Sequence, residues 1–322
     1  MKEITFLKQN APKWEKYEKL VENKASVKPA ELTDMFIELT DDLSYASTNY
    51  GETKTLAYVN SLASRVHHLV YKNKKESGNR LVRFYAFELP LMFGKYRKQL
   101  LYSFIVTAVA TLLGIFSQRF DDSFSRLILG DEYVDSTIER VKNGNALGIY
   151  GEGNSFFMFV AITMNNIKVS FMAFVAGLLT SFCTSFLLAF NGIMLGCFLT
   201  MLFQYGAGAE AMKVVWIHGT VEISSIIIAG CAGFVLGNSF IFPGTYTRME
   251  ALVRGGKDGL KIVIGLVPFF ITAGFLEGFI TRYTKMPLWL SLCIIGISFL
   301  CMVQYFIIYP FLLGKSHGIK ND

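Results

Sequence analysis

A chain of 322 residues could hold two soluble domains, but it is 52% hydrophobic and 15% aromatic with only 17% charged residues, which excludes a wholly water-soluble pair. The formal net charge of +6 does not argue for nucleic acid. The basic residues cluster beside apolar runs, where positive-inside topology and lipid headgroups account for them.

In chain order, residues 1–78 read as a helical bundle. Leu32, Phe36, Leu39 and Leu43 recur every three or four residues, as do Leu56, Val59, Leu62, Val66 and Leu69. Pro29 suits a first helical turn. No apolar signal-peptide core is expected in Met1–Lys8. Gly78-Asn79 breaks the pattern, and residues 79–98 mix aromatics with Arg80, Arg83, Lys95, Arg97 and Lys98. That mixture predicts an amphipathic interfacial segment, with Pro90 kinking or ending its helix.

The membrane domain is expected over 99–313. A spanning helix needs about 20 apolar residues, and the candidates are 99–117, 167–189, 192–206, 214–240, 260–281 and 288–313. Asn191-Gly192 is expected to mark a turn or break between the second and third spans. The apolar run 155–164 is too short to cross alone; it extends the second span, or is re-entrant or interfacial. Arg254–Gly259 reads as a glycine-rich turn, since it lacks the Ser or Thr of a phosphate loop. The fold class is therefore all-α, a polytopic membrane protein of about six transmembrane helices with an N-terminal cytoplasmic helical region.

Residues 65–98 hold nine Lys and Arg against two acids, whereas 118–154 holds four against seven. The first side is expected to be cytoplasmic and the 118–154 loop outer. Six spans return residues 314–322, with Lys315 and Lys320, to the cytoplasm. The expected localisation is a bacterial cytoplasmic (inner) membrane.

His218 and Glu222 stand four apart in the fourth span, on one helix face. Ionisable residues inside a bilayer are costly and mark functional sites by default. The topology places both in the outer half, at the depth of Glu277 in the fifth span and of Asn165, Asn166 and Lys168 where the second span begins. Glu210 precedes the fourth span. Asn191 either caps a helix or joins the same polar site. His218, Lys168 and Arg282 are the expected partners of the carboxylates. Two readings stay open: a clamp that locks helices together, and a working site for substrate, headgroup or proton. No metal and no cofactor are expected. His218 is the sole intramembrane histidine, no H-E-x-x-H motif is present, and Cys183, Cys197, Cys231, Cys293 and Cys301 lack ligand spacing. Ala229, Gly233 and Gly237 follow Glu222 at helical spacing and read as a close-packing face. Pro268 and Pro310 are expected to kink their helices.

Several separated motifs resemble the stage II sporulation protein M family. They are Asp42-Leu43-Ser44-Tyr45-Ala46, Tyr58 to His67, Asn165-Asn166-Ile167-Lys168-Val169 and Asn191 to Gly196. His218-Gly219-Thr220-Val221-Glu222, Ile228 to Gly233 and Glu277 to Thr281 complete them. Thr220-Val221 is less apolar than the family's usual middle. The resemblance implies a membrane scaffold or envelope-remodelling component, because the family's named member works in an envelope complex with peptidoglycan-degrading partners. A transporter or lipid flippase using the outer-half polar site is the alternative, and an intramembrane hydrolase ranks third. Expected partners are membrane lipids and envelope or peptidoglycan-remodelling proteins, with homo-oligomerisation open and nucleic acid excluded.

Overall fold

The structure, a computed structural model, describes residues 1–22, 29–70, 79–143, 154–283 and 286–316. The expected break at Gly78, residues 144–153 of the loop, and His317 and Lys320 of the tail lie outside them. Among the described residues every regular element is helical. The chain divides into two compact units, Met1–Arg80 and Leu81–Asp322.

The first unit contains α1 (Glu3–Glu22), α2 (Pro29–Tyr50) and α3 (Lys54–Val70). Its core joins Phe6 and Trp14 of α1, Met35 and Leu39 of α2, and Val59 and Leu62 of α3. The 3.6-residue apolar period dictates this, since each helix must bury one stripe. Polar partners surround the core. Trp14 Nε1 donates to Asp42 Oδ2 at 2.8 Å, and the Tyr58 hydroxyl donates to Glu18 Oε2 at 2.9 Å. Arg65 also pairs with Glu18. The Arg65 guanidinium, then the Tyr58 hydroxyl, hold the Glu18 carboxyl below the usual carboxylate range.

The second unit begins with a single turn, α4 (Arg80–Arg83), a π-helical turn (Phe84–Glu88) and α5 (Leu89–Lys95). Sequence predicts an amphipathic interfacial segment here; in the structure Leu81, Val82 and Phe87 are exposed while the later residues pack inward. Leu89, Met92 and Phe93 are buried in the main core beside Leu266 and Phe306. Pro90 has no N–H for the Ala86 carbonyl four residues back. The Tyr309 hydroxyl donates to that carbonyl at 2.9 Å, and the Tyr305 hydroxyl donates to Tyr85 O at 2.6 Å.

Six helices are long and apolar enough to cross a membrane. They are α6 (Arg97–Phe120), α9 (Ser155–Leu179), α10 (Ser181–Gln204), α11 (Gly208–Ile241), the continuous Arg248–Ile280 and the continuous Leu288–Lys315. Between the first two lie α7 (Phe124–Leu129) and α8 (Asp131–Lys142). The fifth span is α12 (Arg248–Phe275) followed by a π turn (Leu276–Ile280). The sixth is α13 (Leu288–Val303), a π turn (Gln304–Ile308) and α14 (Tyr309–Ser316), with Pro310 in the first turn of α14.

Two boundaries differ from the sequence reading. The second and third spans part at Thr180, not at Asn191-Gly192. Thr180 is extended and its hydroxyl caps Cys183 N, whereas Asn191 Nδ2 bonds back to Leu187 O inside α10. Gly192 is there for packing: a Cβ on it would stand 2.7 Å from Thr107 O of α6. The run 155–164 accordingly belongs to the second span, with Asn154 capping it. Arg254–Gly259, expected as a turn, lies within α12. A capping box between Thr247 and Glu250 starts the helix early, and Gly259 faces Ala232 O across α11.

The central helix is α11, buried along most of its length, while α6 and α13 turn Phe104, Leu113, Leu292 and Leu300 outward. Such apolar exposure is what a helix presents to lipid. Gly206, at φ +83°, turns the chain from α10 into α11, a conformation suited to glycine.

Candidate functional site

α11 presents His218 and Glu222 one turn apart on one face. His218 is 4% exposed, and Glu222 is half-buried. Glu277 arrives from the π turn that ends the fifth span. One extra residue in that turn rotates the side chains beyond it relative to a regular helix, and such π turns recur at functional sites. Gly278 is buried beside Glu277, where a Cβ would stand 3.0 Å from Phe159 Cβ. That fit holds the π turn close against α9.

His218 Nε2 lies 3.8 Å from Glu277 Oε2. This is too long for a hydrogen bond. One ligand-type atom from each of His218, Glu222 and Glu277 lies within 4.8 Å of the others. The three groups therefore face a common point without that direct hydrogen bond closing α11 onto the fifth span.

A cavity of about 910 Å³ opens on this point. Its polar lining is His218, Glu222, Glu277, Asn165, Asn166 and Asn191, joined by Tyr133 of α8 and Thr107 of α6. Asn166 is 4% exposed and its side chain approaches Glu222. Burial raises the Tyr133 phenol above its ordinary range; Arg140 opposes that shift and Glu277 adds to it. The remaining walls are apolar. Among them, Met172 of α9 and Phe190 and Met194 of α10 are solvent-accessible as well as lining the cavity.

Gly219 belongs to the lining too. A Cβ built on it meets only Ile223 Cδ1 at 3.7 Å and Val215 Cγ1 at 3.9 Å, both on its own helix. No neighbouring helix requires glycine there. Its missing side chain leaves room beside His218.

The structure thus gathers six of the seven polar residues singled out from sequence. Lys168 is exposed and outside the lining, because it projects from another face of α9 than Asn166. Glu210 is exposed in the first turn of α11, and Arg282 donates to Ser155 Oγ. Ile128, Leu129 and Tyr133 of α7 and α8 were not anticipated as lining. The amphipathic pattern of residues 131–142 was the available signal. Ala229, Gly233 and Gly237 are all buried. Gly237 would clash with Ser181 N at 2.6 Å if it carried a Cβ, and Gly233 would clash with Thr184 Oγ1 at 2.6 Å. They are where α11 meets α9 and the start of α10.

Comparison with known proteins places this geometry among relatives. The family model described as "Stage II sporulation protein M" matches residues 103–282, more than half the chain and the whole of the cavity lining. A model described as a domain of unknown function matches residues 4–72, within the first compact unit. An uncharacterized protein of Methanocaldococcus jannaschii is 30% identical over 157 residues, covering 48% of this chain and 68% of the relative. A second uncharacterized protein of the same organism is 27% identical over 133 residues, covering 40% of this chain and 73% of the relative. No solved structure matches.

Proposed function

We propose a function that starts from family membership: the chain belongs to the stage II sporulation protein M family, and its membrane unit binds an amphiphilic, lipid-class ligand within the cell envelope. One observation carries the proposal. The 910 Å³ cavity has mainly apolar walls, with Met172, Phe190 and Met194 solvent-accessible among them, and gathers His218, Glu222 and Glu277 on its lining. Ligand sites commonly have this character, about 300–1,000 Å³ of mainly apolar surface around a few convergent polar groups. An amphiphile would enter between α9 and α10 past Met172, Phe190 and Met194, with its head toward His218, Glu222 and Glu277. In the proposed topology the 118–154 loop is outer and the N-terminus cytoplasmic, as the Lys and Arg distribution favours.

The test is ligand retention. Protein purified in mild detergent should carry a bound amphiphile, detected by native mass spectrometry and identified by lipid extraction. Gly219→Leu, which fills the room beside His218, should abolish it while leaving the protein monodisperse. Equal retention by wild type and Gly219→Leu would sink the proposal.

A scaffold role in an envelope-remodelling complex is a second reading. The observation favouring it is the first unit, a compact unit with its own core. Crosslinking in native membranes tests it: deletion of residues 1–70 should remove envelope-protein adducts, and unchanged adducts would count against it.

A further inference from the structure

We propose that His218, Glu222 and Glu277 together hold a divalent first-row transition cation, of the zinc or manganese class. The sequence reading set metal aside because a single histidine is few for zinc. The structure changes the terms by delivering two carboxylates from different helical elements to the imidazole. The three ligand-type atoms lie within 4.8 Å of one another, and His218 Nε2 and Glu277 Oε2 are already 3.8 Å apart. Ligands bound tetrahedrally at about 2.0–2.1 Å from a zinc ion stand roughly 3.3 Å apart. Side-chain rotation is the shortest route to closing that gap.

Charge points the same way. The described cavity lining has two carboxylates and no lysine or arginine. Buried carboxylates are found paired, protonated or on a metal. A divalent ion balances both, and one imidazole with two carboxylates is a nitrogen–oxygen donor set that suits zinc, iron or manganese. Three protein ligands leave a coordination position open, as working metal sites do and closed structural ones do not. Here the triad lines the cavity, beside the room left at Gly219, with Asn166 next to Glu222. Asn166 thereby approaches a ligating carboxylate, the place from which neighbouring groups orient metal ligands. The cation site stands on the triad and does not require the amphiphile. With both present, the ion would meet a phosphate or carboxylate head.

The experiment uses the full chain without a histidine tag, purified in detergent without chelator. Elemental analysis should find one zinc, manganese or iron per chain. After chelation and dialysis, added Co²⁺ should give ligand-field absorption that Zn²⁺ displaces. His218→Gln, Glu222→Gln and Glu277→Gln should each weaken Zn²⁺ affinity at least about tenfold. Wild-type protein that holds no more metal than the triple variant, and shows no displaceable Co²⁺ absorption, overturns the proposal. So does Co²⁺ absorption that persists unchanged in the triple variant, which would place the ion elsewhere. Absence of displaceable Co²⁺ absorption in wild type overturns the proposal even if the triple variant fails to fold, and the three single variants then locate the ion when it is present. Amphiphile retention, read separately by lipid extraction, can fail without touching this result.

Discussion

Gly219→Ala and Gly177→Ala make the same chemical change in neighbouring spans and should move stability in opposite directions. In α11 the new methyl at 219 meets only side chains of its own helix, at 3.7 and 3.9 Å, which is ordinary contact. Nothing must shift, so the substitution simply reduces the unfolded chain's freedom and improves helix propensity. That is worth about 0.5–1 kcal/mol. In α9 the methyl at 177 runs into the backbone of Gly233, with the carbonyl carbon at 2.9 Å and the Cα at 3.0 Å. A backbone cannot rotate away, so α9 and α11 must separate. Overpacking of this kind costs about 1–3 kcal/mol, which outweighs the propensity gain and leaves a net loss of about 1–2 kcal/mol. Reversible unfolding in bicelles, by steric trapping or denaturant titration, reads both values. Destabilisation by Gly219→Ala with a neutral Gly177→Ala would refute the reasoning, because it would mean that Gly219 is needed for packing and leaves no room for a ligand.

Other outcomes follow from single contacts. Tyr309→Phe should lower stability by about 1–2 kcal/mol in the same assay, since it strips the donor from the Ala86 carbonyl that Pro90 leaves open; an unchanged value would mean that another donor serves that carbonyl. Glu18 has a depressed carboxyl in the fold. Its contribution is therefore full above the unfolded value of about 4.3 and is lost as pH falls through the lower folded value. Because both partners are partly exposed, that contribution is at most about 1 kcal/mol. Hydrogen exchange of α1–α3 between pH 6 and 3 should show a shallower acid loss of protection in Glu18→Gln, and identical profiles would remove Glu18 from the account. Thr180→Ala should cost about 1 kcal/mol by uncapping α10, whereas a cost as small as at an exposed site would deny Thr180 its capping role.

Much of the architecture could be read from the chain. The membrane class and six spans follow from apolar run length, and the first unit follows from the spacing of residues such as Leu32, Leu39, Val59 and Leu62. His218 and Glu222 share a face by helical period alone, and alternating span direction put Glu277 and Asn166 at their depth. What escaped depends on tertiary contact. Asn191-Gly192 carries a turn signal, yet Gly192 stays helical because α6 packs against it. Arg254 to Gly259 looks like a loop until Gly259 meets α11. The π turn that aims Glu277 has no local signature, and Tyr133 reaches the cavity only because α7 and α8 fold back over it. Lys168 sits two residues from Asn166, a separation that turns it to another side of α9.

The account's central claim is that the His218, Glu222 and Glu277 cluster serves a ligand and does not clamp the helices. Unfolding of chelator-treated Glu277→Ala protein in lipid tests it most directly. A clamp between α11 and the fifth span would be worth about 1–2 kcal/mol. The account predicts that stability stays within about 0.5 kcal/mol of wild type or rises, as removal of an uncompensated buried carboxylate at a working site allows. A loss of about 1.5 kcal/mol or more would contradict it.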